Sequence, residues 1–148
     1  MKRSTGSERH LLFVDTWGWI VLADAKDPAH EETVALRRRH SERGILVTSD
    51  YVLDETITRV FAAGPFIQAE AFCTGILESS RAGILRIEGI TPERFQQAYR
   101  WRLRFRDKPR ISFTDLTTFV VMKELGITDV LTADTHFEQV RLGFRRLP

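Results

Sequence analysis

The chain has 148 residues, 43% of them hydrophobic and 28% charged, with a net charge of +2 at pH 7. Such totals fit one soluble domain with a real core, and the charge is too small to demonstrate a polyanionic partner. The single cysteine, Cys73, excludes an intrachain disulfide and a cysteine metal cluster and fits a reducing cytosol.

Residues 1–9 read as a loose polar tail, followed by one domain over residues 10–148. Lys2, Arg3 and Ala23-Asp24-Ala25 imitate a signal peptide, but Asp15 interrupts its would-be apolar region. No run approaches the ~18 apolar residues of a membrane span, so the chain reads as cytoplasmic with no membrane partner. Within "LLFVDTWGWI", four apolar residues run straight into Asp15 before Trp17, Trp19 and Ile20 resume the apolar pattern. A carboxylate there is costly unless it is paired, capped or bound to a metal.

Strand-like runs occur at Leu11–Val14, Ile45–Val47, Ile84–Ile87, Asp129–Leu131 and, more weakly, Gly143–Arg146. Helical segments lie between them. One runs from Pro28 to Arg43, stopped by Gly44; a second, capped by Thr48 or Ser49, runs to Ala63. A third spans Pro65 to Arg81, where Cys73, among Ala71, Phe72, Ile76 and Leu77, reads as a small buried apolar residue. A fourth opens at Thr91-Pro92-Glu93 with Pro at the first helical position. A fifth opens at Ser112-Phe113-Thr114-Asp115, a capping-box pattern, and ends at Gly126. The alternation predicts an α/β fold, a three-layer α/β/α sandwich around a mainly parallel sheet. Ligands gather beyond the carboxyl ends of such strands, and Asp15 stands just past the first one.

Three further acids share that edge. Asp134 follows the fourth strand, Asp115 lies in the first turn of the fifth helix, and Asp54 or Glu55 lies near the start of the second. Oxygen-rich sites of this kind suit Mg²⁺ or Mn²⁺. Singly, Asp15 and Asp134 also fit plain N-caps, and Asp115 fits the last position of a capping box. On a helical wheel Glu55 lies opposite Leu53, Ile57 and Val60, and so faces solvent; periodicity does not choose between it and Asp54. His136 reads as a ring packing or hydrogen-bonding beside Phe137 rather than a general base.

The stretch "YRWRLRFRDKPR", residues 99–110, alternates Arg with aromatic and apolar residues. Phe95, Ala98, Arg102 and Phe105 keep helical spacing, which predicts a helix fraying into a loop by Lys108-Pro109. Arg100, Arg102, Arg104, Arg106, Lys108 and Arg110 form either a solvated face or a surface for an RNA backbone. The place just before "ISFTD" favours the second reading, whereas Arg37, Arg38 and Arg39 read as a solvated helix face.

Taken in order, "FVDTWGWI", "VLDET", "SFTDLTTFVVMKELG", "LTADTHF" and "GFRRLP" resemble the PIN-domain ribonucleases, and more narrowly the VapC-type toxins of toxin–antitoxin pairs. The resemblance runs from about Leu12 to Pro148. It carries the family's acidic set onto Asp15, Glu55, Asp115 and Asp134, thereby choosing Glu55 over Asp54, and places Thr16 and Ser112 as supporting hydroxyls. It implies a three-layer fold and a Mg²⁺- or Mn²⁺-dependent endoribonuclease. A metal-activated water attacks the RNA phosphate in line, leaving a 3′-hydroxyl and a 5′-phosphate. It also implies a homodimer and a small antitoxin partner. Trp17, where a small residue is common, and Thr135, where a basic one often follows, depart from the family and bear on the substrate groove. The alternative is a PIN-fold RNA-binding or RNA-processing protein that is not a toxin. A haloacid-dehalogenase-like site would want an Asp at position 17, where Trp17 stands, and a receiver-like site would want adjacent acids after the first strand.

Overall fold

A computed structural model describes residues 10–148; the tail expected over residues 1–9 lies outside the described residues. The elements are β1 (His10–Val14), α1 (Thr16–Ala23), α2 (His30–Ser41), β2 (Gly44–Ser49), α3 (Asp50–Ala63), α4 (Phe66–Arg81), β3 (Leu85–Glu88), α5 (Pro92–Arg104), α6 (Phe113–Leu125), β4 (Asp129–Leu131), α7 (His136–Gln139) and β5 (Arg145–Leu147). Among the described residues none of the helices is long and apolar enough to cross a membrane.

The five strands form one sheet in the order β3-β2-β1-β4-β5, and every pairing is parallel. "Mainly parallel" thus becomes wholly parallel, within the three-layer sandwich that the alternating pattern predicts. The chain leaves β1 towards β2 and β3, then returns to place β4 on the other side of β1. That reversal opens a crevice at the carboxyl ends of β1 and β4, the usual seat of a ligand in such sheets. Phe13 pairs with Val130 and Val14 with Leu131, so the residues that follow the two strands emerge side by side.

Cap chemistry sets the helices that border the crevice. Ser49, Thr91 and Ser112 each accept an N–H from the residue three ahead: Val52, Arg94 and Asp115. Gly126 closes α6 in the left-handed region at φ 66°. Helix α1, which the strand and cap signals did not announce, starts at Thr16 and is apolar on all sides, with Trp19 and Val21 fully covered. A β-carbon on Gly18 would come within 2.9 Å of the Leu131 carbonyl, so only glycine lets α1 press onto the end of β4. Trp19 Nε1 donates to Thr48 Oγ1, which donates to the Val14 carbonyl, pinning α1 to β1 and β2.

At the opposite, amino end of the sheet Asp129 is buried between Arg145 and His10. The Arg145 fork donates to both carboxylate oxygens at 2.8 and 2.9 Å, and His10 Nε2 lies 2.8 Å from Oδ2. Burial pushes this carboxyl up, but the bonds from Arg145 and His10 outweigh it and hold the group below its ordinary range. Asp129→Ala is expected to cost about 2–3 kcal/mol, less than for a fully buried pair because Arg145 reaches water. The melting temperature should drop by roughly 4–12 °C. A depressed carboxyl contributes above its unfolded value near 4 and loses that contribution as pH falls through the folded value. The deficit of the variant should therefore shrink towards pH 3; a thermal melt series from pH 3 to 7 checks it.

Candidate active site

Asp15 occupies the N-cap position of α1, yet its side chain makes no capping bond to the helix. Its Oδ2 instead accepts from Thr132 Oγ1 at 2.8 Å, across the crevice between β1 and β4. Thr132 is itself fully buried and also accepts the Asp134 backbone N–H at 3.1 Å. One hydroxyl thus fixes the first acid and the backbone of the fourth. Nothing in the charge or cap pattern marked Thr132; its place directly after a short strand, two residues ahead of Asp134, was the available signal.

Asp115 arrives from α6. Ser112 Oγ accepts its backbone N–H at 3.0 Å, half of the capping box, and turns the first helical turn towards the crevice. Burial, then the charge of Asp15, then the neighbouring Asp134 carboxylate drive the Asp115 carboxyl far above its ordinary range. Asp15 is pushed up to about 6, chiefly by burial, against the Thr132 bond and with help from the charges of Asp134 and Glu55. Asp134 is half-buried, and its Oδ1 accepts the His136 backbone N–H at 2.8 Å, so the α7 turn aims it inward.

Glu55 stands at the rim, 47% exposed, as the wheel of α3 predicts. Its Oε2 accepts from Thr16 Oγ1 at 3.2 Å and its Oε1 lies 3.6 Å from Arg59, so Glu55 rather than Asp54 reaches towards α1. The four acids named from the sequence therefore border one crevice, three of them inside it and one at its mouth. Asp115, Asp134 and His136 each bring a donor atom within 4.8 Å of the other two. His136 thus stands inside the cluster, where the sequence had suggested a ring packing or hydrogen-bonding beside Phe137. Packed carboxyls that hold protons above their ordinary range are the donor set that a hard divalent cation satisfies.

The basic stretch divides. Arg100, Arg104, Arg106 and Arg110 are exposed, and Lys108 is paired with Asp107 at 2.7 Å. Arg102 corrects the reading of a continuous basic surface. Its guanidinium donates to the carbonyls of Phe105, Lys108 and Ile111, each at 2.7 Å. It shapes the loop between α5 and α6 instead of facing a phosphate. Cys73 is buried beside Val60 and Ala69, as expected.

The model of the PIN domain family matches residues 12–142. The chain is 32% identical over 127 residues to the 23S rRNA-specific endonuclease VapC20 of Mycobacterium tuberculosis, covering 86% of this chain and 92% of that protein. The crystal structure of that VapC20, described as a sarcin–ricin loop cleaving toxin, superposes with a TM-score of 0.75 at 30% identity, over 90% of this chain and 96% of the other. Two structures at 14% identity share the fold. One is VapBC2 from Rickettsia felis bound to a DNA fragment from its promoter, with a TM-score of 0.68 over 93% of this chain and 97% of the other. The other is VapBC-1 from nontypeable Haemophilus influenzae, with a TM-score of 0.65 over 93% and 96%. With the family's pattern matched over residues 12–142, and a relative 32% identical over 86% of the chain, this chain belongs to the PIN-domain family.

Proposed function

We propose that this protein is a divalent-metal-dependent endoribonuclease, the toxin of a VapC-type toxin–antitoxin pair, acting on large-subunit ribosomal RNA. The observation that carries the reading is the convergence of Asp15, Asp115 and Asp134 from three separate elements at the carboxyl edge of the sheet, close enough that their mutual charge helps to raise the Asp15 and Asp115 carboxyls. Asp15, Asp115 and Asp134 would hold Mg²⁺ or Mn²⁺, with Glu55 at the rim. When bound, the cation lowers the pKa of water and offsets charge growing on the phosphodiester. Glu55, whose Oε2 is oriented by Thr16, accepts a proton from the attacking water. Thr132 and Ser112 keep the two buried acids from turning away. The exposed arginines of the 100–110 stretch draw the RNA backbone to the crevice. A small antitoxin that covers the crevice, a homodimeric assembly and a cytoplasmic setting complete the proposal.

The test incubates the purified protein with 23S ribosomal RNA and with an unrelated RNA, with Mg²⁺ or Mn²⁺ and then with excess chelator. A discrete metal-dependent cut in the ribosomal RNA, absent with chelator and absent for Asp15→Asn, is the expected result. Cutting that survives both the chelator and the substitution would remove the assignment.

A further inference from the structure

His136 opens α7, directly after the loop that carries Asp134 and Thr132. Its side chain is 24% exposed, and its Nδ1 is wholly shielded with no hydrogen-bond partner. That nitrogen lies 3.1 Å from Asp134 Oδ1, a contact without the directionality of a hydrogen bond. A buried polar atom left unsatisfied is costly, so such an atom calls for a partner. The oxygen beside it already accepts the His136 backbone N–H, which fixes the position of the ring relative to the carboxylate. The three donor atoms of Asp115, Asp134 and His136 fall within 4.8 Å of one another, a spacing that one cation spans.

We propose that His136 is a direct nitrogen ligand of the cation, completing a set with Asp115 and Asp134 that favours Mn²⁺ over Mg²⁺. The inference rests on reading the acidic crevice as the cation site. Its physical basis is ligand preference. Mg²⁺ takes carboxylate and water oxygens and dehydrates reluctantly, whereas a transition-metal ion accepts imidazole as well as oxygen. An oxygen-only crevice discriminates weakly between the two ions; one imidazole tilts it. Glu55 is too exposed at the rim to supply that preference, and no other histidine belongs to the cluster among the described residues.

The test reads binding and spectroscopy, independently of RNA cleavage. Mn²⁺ bound to the full chain is examined by electron spin echo spectroscopy for modulation from a coordinated ¹⁴N. Calorimetry gives Mn²⁺ and Mg²⁺ affinities for the parent, His136→Gln, His136→Asn and Asp115→Asn. The parent should show the ¹⁴N modulation. Both His136 variants should lose it, bind Mn²⁺ roughly tenfold more weakly and bind Mg²⁺ within about twofold of the parent. Mn²⁺ that binds the parent in an Asp115-dependent way, without ¹⁴N modulation and with unchanged affinity in the His136 variants, overturns this proposal and leaves the acidic site standing. Binding that is absent, or indifferent to Asp115→Asn, overturns the site and this proposal together. The spectrum of the parent decides the matter even where a substituted chain folds poorly.

Discussion

Asp115→Asn should abolish RNA cleavage and, in the same protein without metal at pH 8, raise the melting temperature. The two effects have one origin. Asp115 is buried with the charges of Asp15 and Asp134 against it, and its carboxyl holds a proton well above the ordinary range. Asparagine keeps the shape and offers Asp134 a permanent N–H donor, so the metal-free fold no longer has to keep a buried carboxyl protonated at pH 8. The expected gain is about 1–2 kcal/mol, or roughly 2–8 °C. The cost falls on catalysis. A neutral amide is a poor partner for a divalent cation, and cleavage should drop by about 10³-fold or more, equivalent to about 4 kcal/mol of transition-state stabilisation.

The pH dependence has a definite sign. Raised carboxyls bind protons in the folded state that the unfolded chain has released. Stability of the metal-free protein is then full below about pH 4 and declines as pH rises, through about 6 for Asp15 and beyond for Asp115. For Asp15 alone the change amounts to about 3 kcal/mol. The advantage of Asp115→Asn should therefore vanish near pH 4 and grow towards pH 8, and saturating Mn²⁺ should reverse it. Melting curves of both proteins across that range, with and without Mn²⁺, decide it. A variant that melts well below the parent at pH 8 without metal would show that these acids do not oppose one another.

Phe119→Ala should be the most damaging single truncation of the core. The ring is fully buried in α6. It meets Phe137 edge-on at 4.9 Å, Phe144 at 5.6 Å and Trp101 at 6.5 Å between centroids. Its removal leaves a cavity among α5, α6, α7 and the loop before β5 and should cost about 4 kcal/mol, a fall of roughly 8–16 °C. Phe137 follows His136 and anchors the short turn that aims Asp134, so cleavage should weaken even at 20 °C, where the variant remains folded. Phe119→Leu, which fills most of the space, should cost less than half as much. Calorimetry together with an RNA cleavage time course measures both, and a loss under 1 kcal/mol for the alanine variant would show that the cluster is not the keystone proposed.

Much of this architecture could be read from the residues because local signals agreed with the fold. Thr91 and Ser112 announced their helices as caps and Gly126 announced a stop, while of the two cap candidates Thr48 and Ser49 the structure uses Ser49. Asp129–Leu131 was bounded by its apolar run, whereas the last strand begins at Arg145, two residues beyond the weaker run at Gly143. Helix α1 was obscured because "TWGWIVLA" is apolar all round, so it has no exposed face to set a period. Arg102 shows a conflict between two signals. Its spacing with the buried Ala98 and Phe105 pointed inward, while its charge pointed to a phosphate; burial won, with three carbonyls as partners. The acids were found by their place after strands and caps, but spacing left Asp54 and Glu55 level, and only family resemblance separated them. Thr132 and His136 were hidden because their importance lies in contacts across the crevice, which linear order does not display.

The β1–β4–β5 side of the sheet has a consequence for when the acidic crevice forms. Asp15 is secured by Thr132, and the Thr132 backbone N–H is held in turn by the Leu147 carbonyl in β5. A chain still emerging from the ribosome, with its first acids made but β4 and β5 not yet docked, lacks the far wall of the pocket. Until then Asp15 lacks the hydroxyl that holds it, so the acidic crevice is assembled only once β4 and β5 have docked beside β1.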